Sequence, residues 1–301
     1  MSLHDYDILT KNMSVSFLEK TPRSCYNQYG TIHFDTNRGE IIMTIKERIA
    51  AREALCGCHV HFGDFAVTEI LADMGYDMVW IDMEHTTLTC EQVHAHMLAA
   101  AAAGTPVMVR VPVSDLTNTK RVLEMGPDAI VFPMVRDSEH AKELLSWTLY
   151  PPYGKRGCGP KRAVRYGMDN EPHYYGDGHL KMCRFVQIEL KSAAEDAENI
   201  AALPHLDGCI LGMHDLSGSI GRLGDVFCEE NLTLAKMAIE AFKKHGKTVG
   251  VSTCATDKET LTRYRDMGVN LIFSGADFEY IRDGGLRTLK TLKEIQKGER
   301  R

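Results

Sequence analysis

The sequence lacks the features that mark membrane, secreted and nucleic-acid-binding proteins. It has no apolar run of about 18 residues or more, which a membrane-spanning helix would need. Its first residues carry Asp, Lys and Glu throughout, unlike the apolar core of a signal peptide. The formal net charge is -6 and the pI is about 6.1, whereas nucleic-acid-binding surfaces are usually basic. We therefore expect neither a membrane nor a nucleic acid as partner.

Paired-cysteine motifs are also missing. The nine cysteines are odd in number and scattered along the chain. Cys56-Gly57-Cys58 lacks the spacing of a zinc ribbon or a Cys-x-x-Cys motif, and no second pair follows it. Most of the others fall in apolar patterns, where a free thiol behaves as a small hydrophobic side chain. A reducing cytoplasm is the expected location.

The composition is typical of a soluble globular protein with an ample core, since 44% of the 301 residues are hydrophobic and 25% are charged. Residues 1–45 are irregular in pattern, and we interpret them as an N-terminal extension. Residues 46–301 alternate regularly between strand and helix patterns and are predicted to form one domain. A polar, Gly-rich stretch at about 151–181 is predicted to be a long loop, and the chain is predicted to end in a helix.

Eight apolar, β-rich runs with helical patterns between them make up this alternation. The predicted strands are Leu55–Phe62, Met78–Glu84, Pro106–Pro112, Ala129–Val135, Cys183–Leu190, Gly208–Met213, Thr248–Thr253 and Leu271–Ala276. The predicted helices span 66–74, 89–103, 115–125, 138–148, 192–202, 229–245, 257–267 and 279–297. Eight such units in about 250 residues predict an α/β protein with a (β/α)8 TIM barrel. A doubly wound open sheet is less favoured because no G-x-G-x-x-G follows a strand.

Polar side chains stand at the C-terminal ends of the predicted strands, where barrels of this kind carry their chemistry. In chain order they are His59, His61, Asp82, Glu84, His85, Arg110, Arg136, Gln187, Glu189, His214, Asp215 and Asp277. Glu189 and Asp215 end adjacent strands, and adjacent strand ends lie within about 5 Å of each other. Two carboxylates without histidine favour a hard cation such as Mg²⁺ or Mn²⁺.

Each of these side chains also has a plainer interpretation. Glu189 could pair with Lys191 or Arg184, and Asp215 could cap a helix that begins at Leu216. His85 could be an ordinary loop histidine, although its unperturbed pKa suits a general base.

Arg110 is harder to dismiss. It interrupts an apolar strand, and a buried arginine needs an anion. That anion is either an oxygen-rich ligand, which the guanidinium fork suits, or a carboxylate of the chain itself, Asp82 or Glu84.

Five segments carry a resemblance to a known family: Ile81–His85, Pro106–Arg110, Tyr150–Gly159, Gln187–Glu189 and Leu211–Gly221. In this order they are similar to the motifs of class II, metal-dependent 2-oxo-acid aldolases. That family includes hydroxy-oxoheptanedioate and 2-keto-3-deoxysugar-acid aldolases of the phosphoenolpyruvate/pyruvate barrel superfamily, to which the citrate lyase β subunit is related. The resemblance covers roughly residues 46–285.

The resemblance implies a role for each matching residue. Glu189 and Asp215 match the metal ligands, with Mg²⁺, Mn²⁺ or Co²⁺ as the cofactor. Arg110 matches an arginine that contacts the pyruvate oxygens, and His85 matches the acid–base histidine. The remaining matches are Gln187 beside pyruvate, Gly212, Met213 and His214 in the turn that holds the pyruvate carboxylate, and Glu124, an acid that pairs with the histidine across a subunit interface. The family forms trimers or hexamers that often exchange the last helix, so we expect a homo-oligomer.

Four residues depart from the family. His59 and His61 stand where relatives commonly have Trp or Gly, His214 replaces a small residue, and Arg136 stands where an acidic or small residue is common. These departures concern the aldehyde partner more than the enolate chemistry.

The predicted function is reversible cleavage of a 4-hydroxy-2-oxo acid to pyruvate and an aldehyde through a metal-bound enolate. No lysine ends a strand, which argues against a Schiff-base route. The alternatives are a citrate-lyase or malyl-CoA type of carbon–carbon lyase and a non-catalytic pyruvate-binding relative. A metal-dependent hydrolase is a further alternative, because His59 and His61 would share one face of the first strand.

Overall fold

Eight parallel strands close into a barrel within residues 43–298, the part of the chain that the computed structural model describes. They are β1 (Leu55–Val60), β2 (Met78–Asp82), β3 (Val107–Arg110), β4 (Ala129–Phe132), β5 (Cys183–Ile188), β6 (Gly208–Leu211), β7 (Thr248–Thr253) and β8 (Leu271–Ala276). Each strand pairs with the next along the chain, and β8 pairs with β1. The predicted (β/α)8 barrel is confirmed.

Helices alternate with these strands. They are α1 (Ile45–Ala50), α2 (Phe65–Asp73), α3 (Cys90–Ala103), α4 (Leu116–Met125), α5 (Ser138–Ser146), α6 (Glu171–Gly176), α7 (Lys191–Glu195), α8 (Ala197–Ala201), α9 (Met213–Ser219), α10 (Glu229–Lys244), α11 (Lys258–Met267) and α12 (Asp277–Gly298). Every predicted helix is present, although the one predicted at 192–202 is split at Asp196 into α7 and α8. Asp and Thr side chains cap several of them, as at Asp64, Thr89 and Asp137.

Strand alternation places two layers of apolar side chains around the sheet. Trp80, Phe185 and Phe273 fill the barrel interior, while Val109, Val186 and Val251 face the helices. Both layers are almost fully buried, so the sheet is apolar on both faces, as expected of a parallel barrel. Polar side chains are left to the strand ends.

The first described helix begins inside the predicted N-terminal extension. The predicted extension at 1–45 lies almost wholly outside the described residues, but Ile45 already begins α1, which Thr44 caps. Ile45 and Ile49 of that helix join the interior cluster of the barrel.

A membrane-spanning helix is not found among the helices within residues 43–298.

The stretch predicted to be a long loop at about 151–181 is folded for much of its length. It contains 3-10 turns at Arg162–Gly167 and Gly178–Lys181 as well as α6. Arg156 Cζ lies 4.6 Å from the ring centroid of Tyr150 and 5.7 Å from that of Tyr174. All three side chains are buried. The predicted long loop therefore contains short helices and a packed segment, in which aromatic rings bury Arg156.

Candidate active site

Arg110 lies at the centre of a charged network at the C-terminal ends of β2, β3 and β5. The register of β2 and β3 sets Asp82 opposite Arg110. Arg110 Nε donates to Asp82 Oδ1 at 2.8 Å and Nη2 donates to Oδ2 at 2.5 Å, a bidentate pair. Burial favours the neutral carboxyl, but the hydrogen bonds and charge of Arg110 outweigh it and lower the pKa of Asp82.

The other side of the guanidinium faces the mouth of the barrel. Arg110 Nη1 lies 3.1 Å from Glu84 Oε2 and donates to Gln187 Oε1 at 3.3 Å. Gln187 Nε2 in turn donates to Glu189 Oε2 at 2.7 Å. Both intrachain partners considered for Arg110 are thus present, and Gln187 connects the arginine to the predicted metal ligand. Gln187 therefore bridges the candidate oxyanion donor and the candidate cation site by two hydrogen bonds.

Glu189 is buried among more negative charge than positive. Its side chain is almost inaccessible, and Met134 N donates to Oε1 at 2.5 Å. Burial, followed by the charges of Glu84 and Asp215, raises the pKa of Glu189 to about 7, although the Met134 hydrogen bond opposes this. A carboxylate in these surroundings is stabilised by a bound cation.

The plainer partners considered for Glu189 are engaged elsewhere. Lys191 Nζ lies 3.6 Å from Glu230 Oε1, and Arg184 Nε donates to Thr148 Oγ1 at 2.7 Å. Pairing of Glu189 with either of them, left open by the sequence, is therefore wrong.

Met134 supplies a contact that the sequence does not reveal. It has a φ of 53°, a left-handed conformation that costs a residue other than glycine about 1–3 kcal/mol. This conformation directs its N–H at Glu189. Sequence reasoning found nothing titratable on the fourth strand before Arg136 and missed the Met134 contact, because a backbone donor leaves no compositional signal.

Gly212 and Asp215 begin the element that follows β6. Gly212 is the N-cap of α9, and a Cβ at this position would lie 2.5 Å from Glu189 Oε2. Only glycine therefore leaves the Glu189 carboxylate where it is. Asp215 is exposed in the first turn of α9, so it does not cap a helix that begins at Leu216. Met213 is buried and His214 is exposed in the same turn.

The donor set suits a hard cation. Within residues 43–298 no group of three or more His, Cys, Asp or Glu side chains is arranged as a complete metal cage. Glu189 and Asp215 offer two carboxylates, and the charge of Asp215 contributes to raising the pKa of both Glu84 and Glu189. Two oxygen ligands plus water and substrate are what Mg²⁺ and Mn²⁺ accept.

His85 and Glu124, the predicted acid–base pair, lie in different surroundings. The His85 side chain is 63% exposed, with Nε2 at 3.7 Å from Glu84 Oε2. Glu124 lies on α4 and contacts Arg156 Nη2 at 3.5 Å, and burial raises its pKa. In the described part of the chain Glu124 contacts Arg156 rather than His85. Their catalytic roles stay predictions.

Two histidines line the mouth near β1, β7 and β8. His59 Nδ1 lies 3.0 Å from the carbonyl oxygen of Gly275 and Nε2 lies 2.8 Å from Ser252 Oγ. Burial lowers the pKa of His59 to about 4. His61 lies between two carboxylates, 3.6 Å from Asp82 Oδ2 and 3.7 Å from Asp277 Oδ1. Both ring nitrogens of His59 have hydrogen-bond partners within the chain, which disfavours the hydrolase metal site considered for His59 and His61.

Comparison with known proteins bears on the resemblance. The profile of the HpcH/HpaI aldolase/citrate lyase family matches residues 56–283. A hydroxypyruvate/pyruvate aldolase of Roseovarius nubinhibens is 30% identical over 246 residues, which are 82% of this chain and 95% of that protein. A 4-hydroxy-2-oxovalerate aldolase of Novosphingobium aromaticivorans is 33% identical over 223 residues, 73% of this chain and 83% of that protein.

A solved structure shares the fold. It is a family protein from Burkholderia cenocepacia with a TM-score of 0.77 and 30% identity, covering 83% of this chain and 98% of that one. The resemblance drawn from the five motifs is confirmed, and so is the predicted class of enzyme, a carbon–carbon lyase of the pyruvate aldolase type.

Proposed function

Because this chain belongs to the HpcH/HpaI aldolase/citrate lyase family, we propose that it catalyses reversible aldol cleavage of a 4-hydroxy-2-oxo acid to pyruvate and an aldehyde. The observation that carries the proposal is the chain of contacts from Arg110 through Gln187 to the buried Glu189. These contacts place Arg110, a donor to a developing oxyanion, close to Glu189, a carboxylate that can hold a cation. A cationic donor and a bound cation can each stabilise an enolate.

Glu189 and Asp215 are the residues that would hold a divalent cation, Mg²⁺, Mn²⁺ or Co²⁺. When bound, such a cation acts as a Lewis acid toward the 2-oxo group. Gly212 leaves room for the carboxylate of Glu189, and Met134 N orients it. These features of the donor set support the cofactor assignment.

The chain's own residues supply the rest of the chemistry. Arg110 stabilises the negative charge that develops on the 2-oxo oxygen, and Asp82 holds its guanidinium in place. The first N–H groups of a helix lack intrahelical partners, so those of α9 can bind the carboxylate of the 2-oxo acid. His85 is exposed at the mouth and would take the proton of the 4-hydroxyl group.

The surface of the C-terminal helix supports a homo-oligomer, which we propose to be a trimer or hexamer. Large apolar side chains on α12 are exposed, including Ile281, Leu289, Leu292 and Ile295. At 3.6 residues per turn these four lie on one side of the helix. Assembly would bury this stripe, and Glu124 could then reach His85 of another copy. We further propose that the enzyme is cytoplasmic and that its partners are small molecules, a 2-oxo acid and an aldehyde.

Hydrogen–deuterium exchange at the methyl group of pyruvate tests this proposal. In D₂O with Mg²⁺ or Mn²⁺, the wild-type protein should exchange the pyruvate methyl protons, as followed by NMR, because it forms the enolate without an aldehyde. EDTA treatment and Glu189→Gln should each abolish exchange. An absence of exchange with every divalent metal would contradict the proposal and favour the non-catalytic relative; full exchange in EDTA would exclude the metal.

A further inference from the structure

Ser252 lies on the inner face of β7, at the mouth of the barrel. Val249 and Val251 belong to the outer apolar layer, so the residues between and after them face inward. This is confirmed at Gly250, where a Cβ would lie 2.5 Å from Ile210 Cδ1 in the interior cluster. Ser252 is the next inward position and is only half buried, so its hydroxyl group reaches the open end.

The hydrogen bonds of His59 fix the direction of the Ser252 hydroxyl. A carbonyl oxygen is only an acceptor, so His59 Nδ1, at 3.0 Å from Gly275 O, must carry the ring proton. The centroid of the His59 ring lies 5.5 Å from the ring centroid of Trp80 and 5.9 Å from that of Phe273. These apolar surroundings favour the neutral imidazole. Nε2 of a neutral ring protonated at Nδ1 is an acceptor. Ser252 Oγ, at 2.8 Å, therefore donates its proton to His59.

Because the Ser252 hydroxyl donates its proton to His59, its oxygen can offer only lone pairs to a ligand. An oxygen that has given its proton to the protein can accept a hydrogen bond but cannot donate one. It therefore attracts a hydroxyl group and disfavours a carboxylate or a bare carbonyl at the same place.

The position of Ser252 brings it next to the proposed reaction centre. Leu211 pairs with Val251, so Gly212 and Ser252 follow side by side on neighbouring strands, about 4.8 Å apart. Gly212 carries no side chain and contacts Glu189. Substrate held between Arg110 and Glu189 can thus approach Ser252 across the glycine.

We propose that Ser252, oriented by His59, is a specificity-determining residue that accepts a hydrogen bond from a substrate hydroxyl group next to the reacting carbon. This inference rests on the proposed aldol function and adds the substrate class to it. The hydroxyl group belongs either to the 2-oxo acid, as in hydroxypyruvate compared with pyruvate, or to the aldehyde, as in glycolaldehyde compared with acetaldehyde.

The test measures kcat/KM for both comparisons in wild-type protein, Ser252→Ala and Ser252→Cys. The second variant keeps the size of the side chain and replaces the oxygen by sulfur, a weak acceptor. We expect the ratio of hydroxylated to non-hydroxylated substrate to fall about five- to tenfold in both variants, for one of the two comparisons. The comparison that changes identifies which substrate carries the hydroxyl group.

Ser274→Ala is the matched control, because Ser274 lies on the neighbouring strand and donates to the backbone at Ala255 O. It removes the same atom without changing the inner face, so both ratios should equal those of the wild type. Unchanged ratios in Ser252→Ala and Ser252→Cys, or an equal fall in Ser274→Ala, would overturn the inference. Absence of turnover in the wild type with every pair would instead refute the proposed function.

Discussion

Arg110 has two roles that a simple truncation would mix. It is the candidate donor to the oxyanion, and it is also the counter-ion of Asp82, which is completely buried. Removal of the guanidinium would leave a buried carboxylate uncompensated, at a cost of about 3–5 kcal/mol. A substitution that keeps the charge separates catalysis from stability.

Arg110→Lys should lower kcat by about two orders of magnitude, because an ammonium group cannot form the bidentate pair with Asp82 and also reach the substrate. Steady-state kinetics measures this effect, and circular dichroism checks that the thermal transition is retained. Arg121→Lys, on the exposed face of α4, is the control and should turn over as the wild type does. If Arg110→Lys turned over at the wild-type rate, the guanidinium group of Arg110 would not be needed for catalysis.

The raised pKa of Glu189 predicts how metal affinity depends on pH. Since its pKa is about 7, protons and metal compete for this carboxylate near neutrality. The apparent Kd for Mn²⁺ should rise by up to about tenfold per pH unit as the pH falls below 7, and should level off above it. Titration calorimetry between pH 5.5 and 8.5, roughly spanning that pKa, measures it. A Kd independent of pH over this range would show that Glu189 is ionised throughout.

Among the structural elements, α9 illustrates how a short helix positions a site. It begins immediately after β6, and its N-cap glycine lets the chain turn against the Glu189 side chain. The sequence offered a helix here only as an alternative that would begin at Leu216, because Met213–Ser219 is short and contains Ser and Gly, which are weak helix formers. The strand before it was predicted because its apolar run is recognisable without a partner, although the prediction ran to Met213 and the strand ends at Leu211.

Gly212→Ala should weaken Mn²⁺ binding by about 10- to 100-fold, as changes around metal ligands typically do. The added methyl group would collide with both the carboxylate and the Cβ of Glu189, at 2.5 and 2.7 Å. Gly284→Ala in α12 is the control; its Cβ would meet nothing closer than 4.0 Å, and helix propensity predicts a gain of about 0.5–1 kcal/mol. Unaltered Mn²⁺ affinity in Gly212→Ala would mean that Glu189 is not a ligand.

At the scale of the whole molecule, α12 carries a stripe of exposed apolar side chains. A helix with exposed apolar residues along one side is unusual on a monomer, since such a stripe normally packs against another surface. Leu292→Glu should shift the protein from oligomer to smaller species in light scattering coupled to size exclusion.

Lys290→Glu is the matched control for Leu292→Glu. At 100° per residue it lies on the opposite side of the helix, and the same charge there should leave the assembly unchanged. If Leu292→Glu were to elute as the wild type does, the stripe would not form the interface. Dissociation of both variants would indicate that charge, rather than the apolar stripe, controls assembly.

The sequence by itself determined the barrel and the kind of residue at its mouth. Buried parallel strands are apolar on both faces, so eight such runs are visible without any tertiary contact, and the charged residues at the ends of several of them are conspicuous. The same reasoning singled out Arg110, Glu189 and Asp215.

Only the tertiary structure decided which of these groups meet and what each can donate or accept. The pairing of Arg110 with Asp82, the backbone donor at Met134 and the orientation of Ser252 by His59 all depend on contacts between segments distant in sequence. Hydrogen-bond direction and burial arise when strands are brought into register. A residue pattern cannot encode them, because it specifies which side chains are buried but not which atoms face each other.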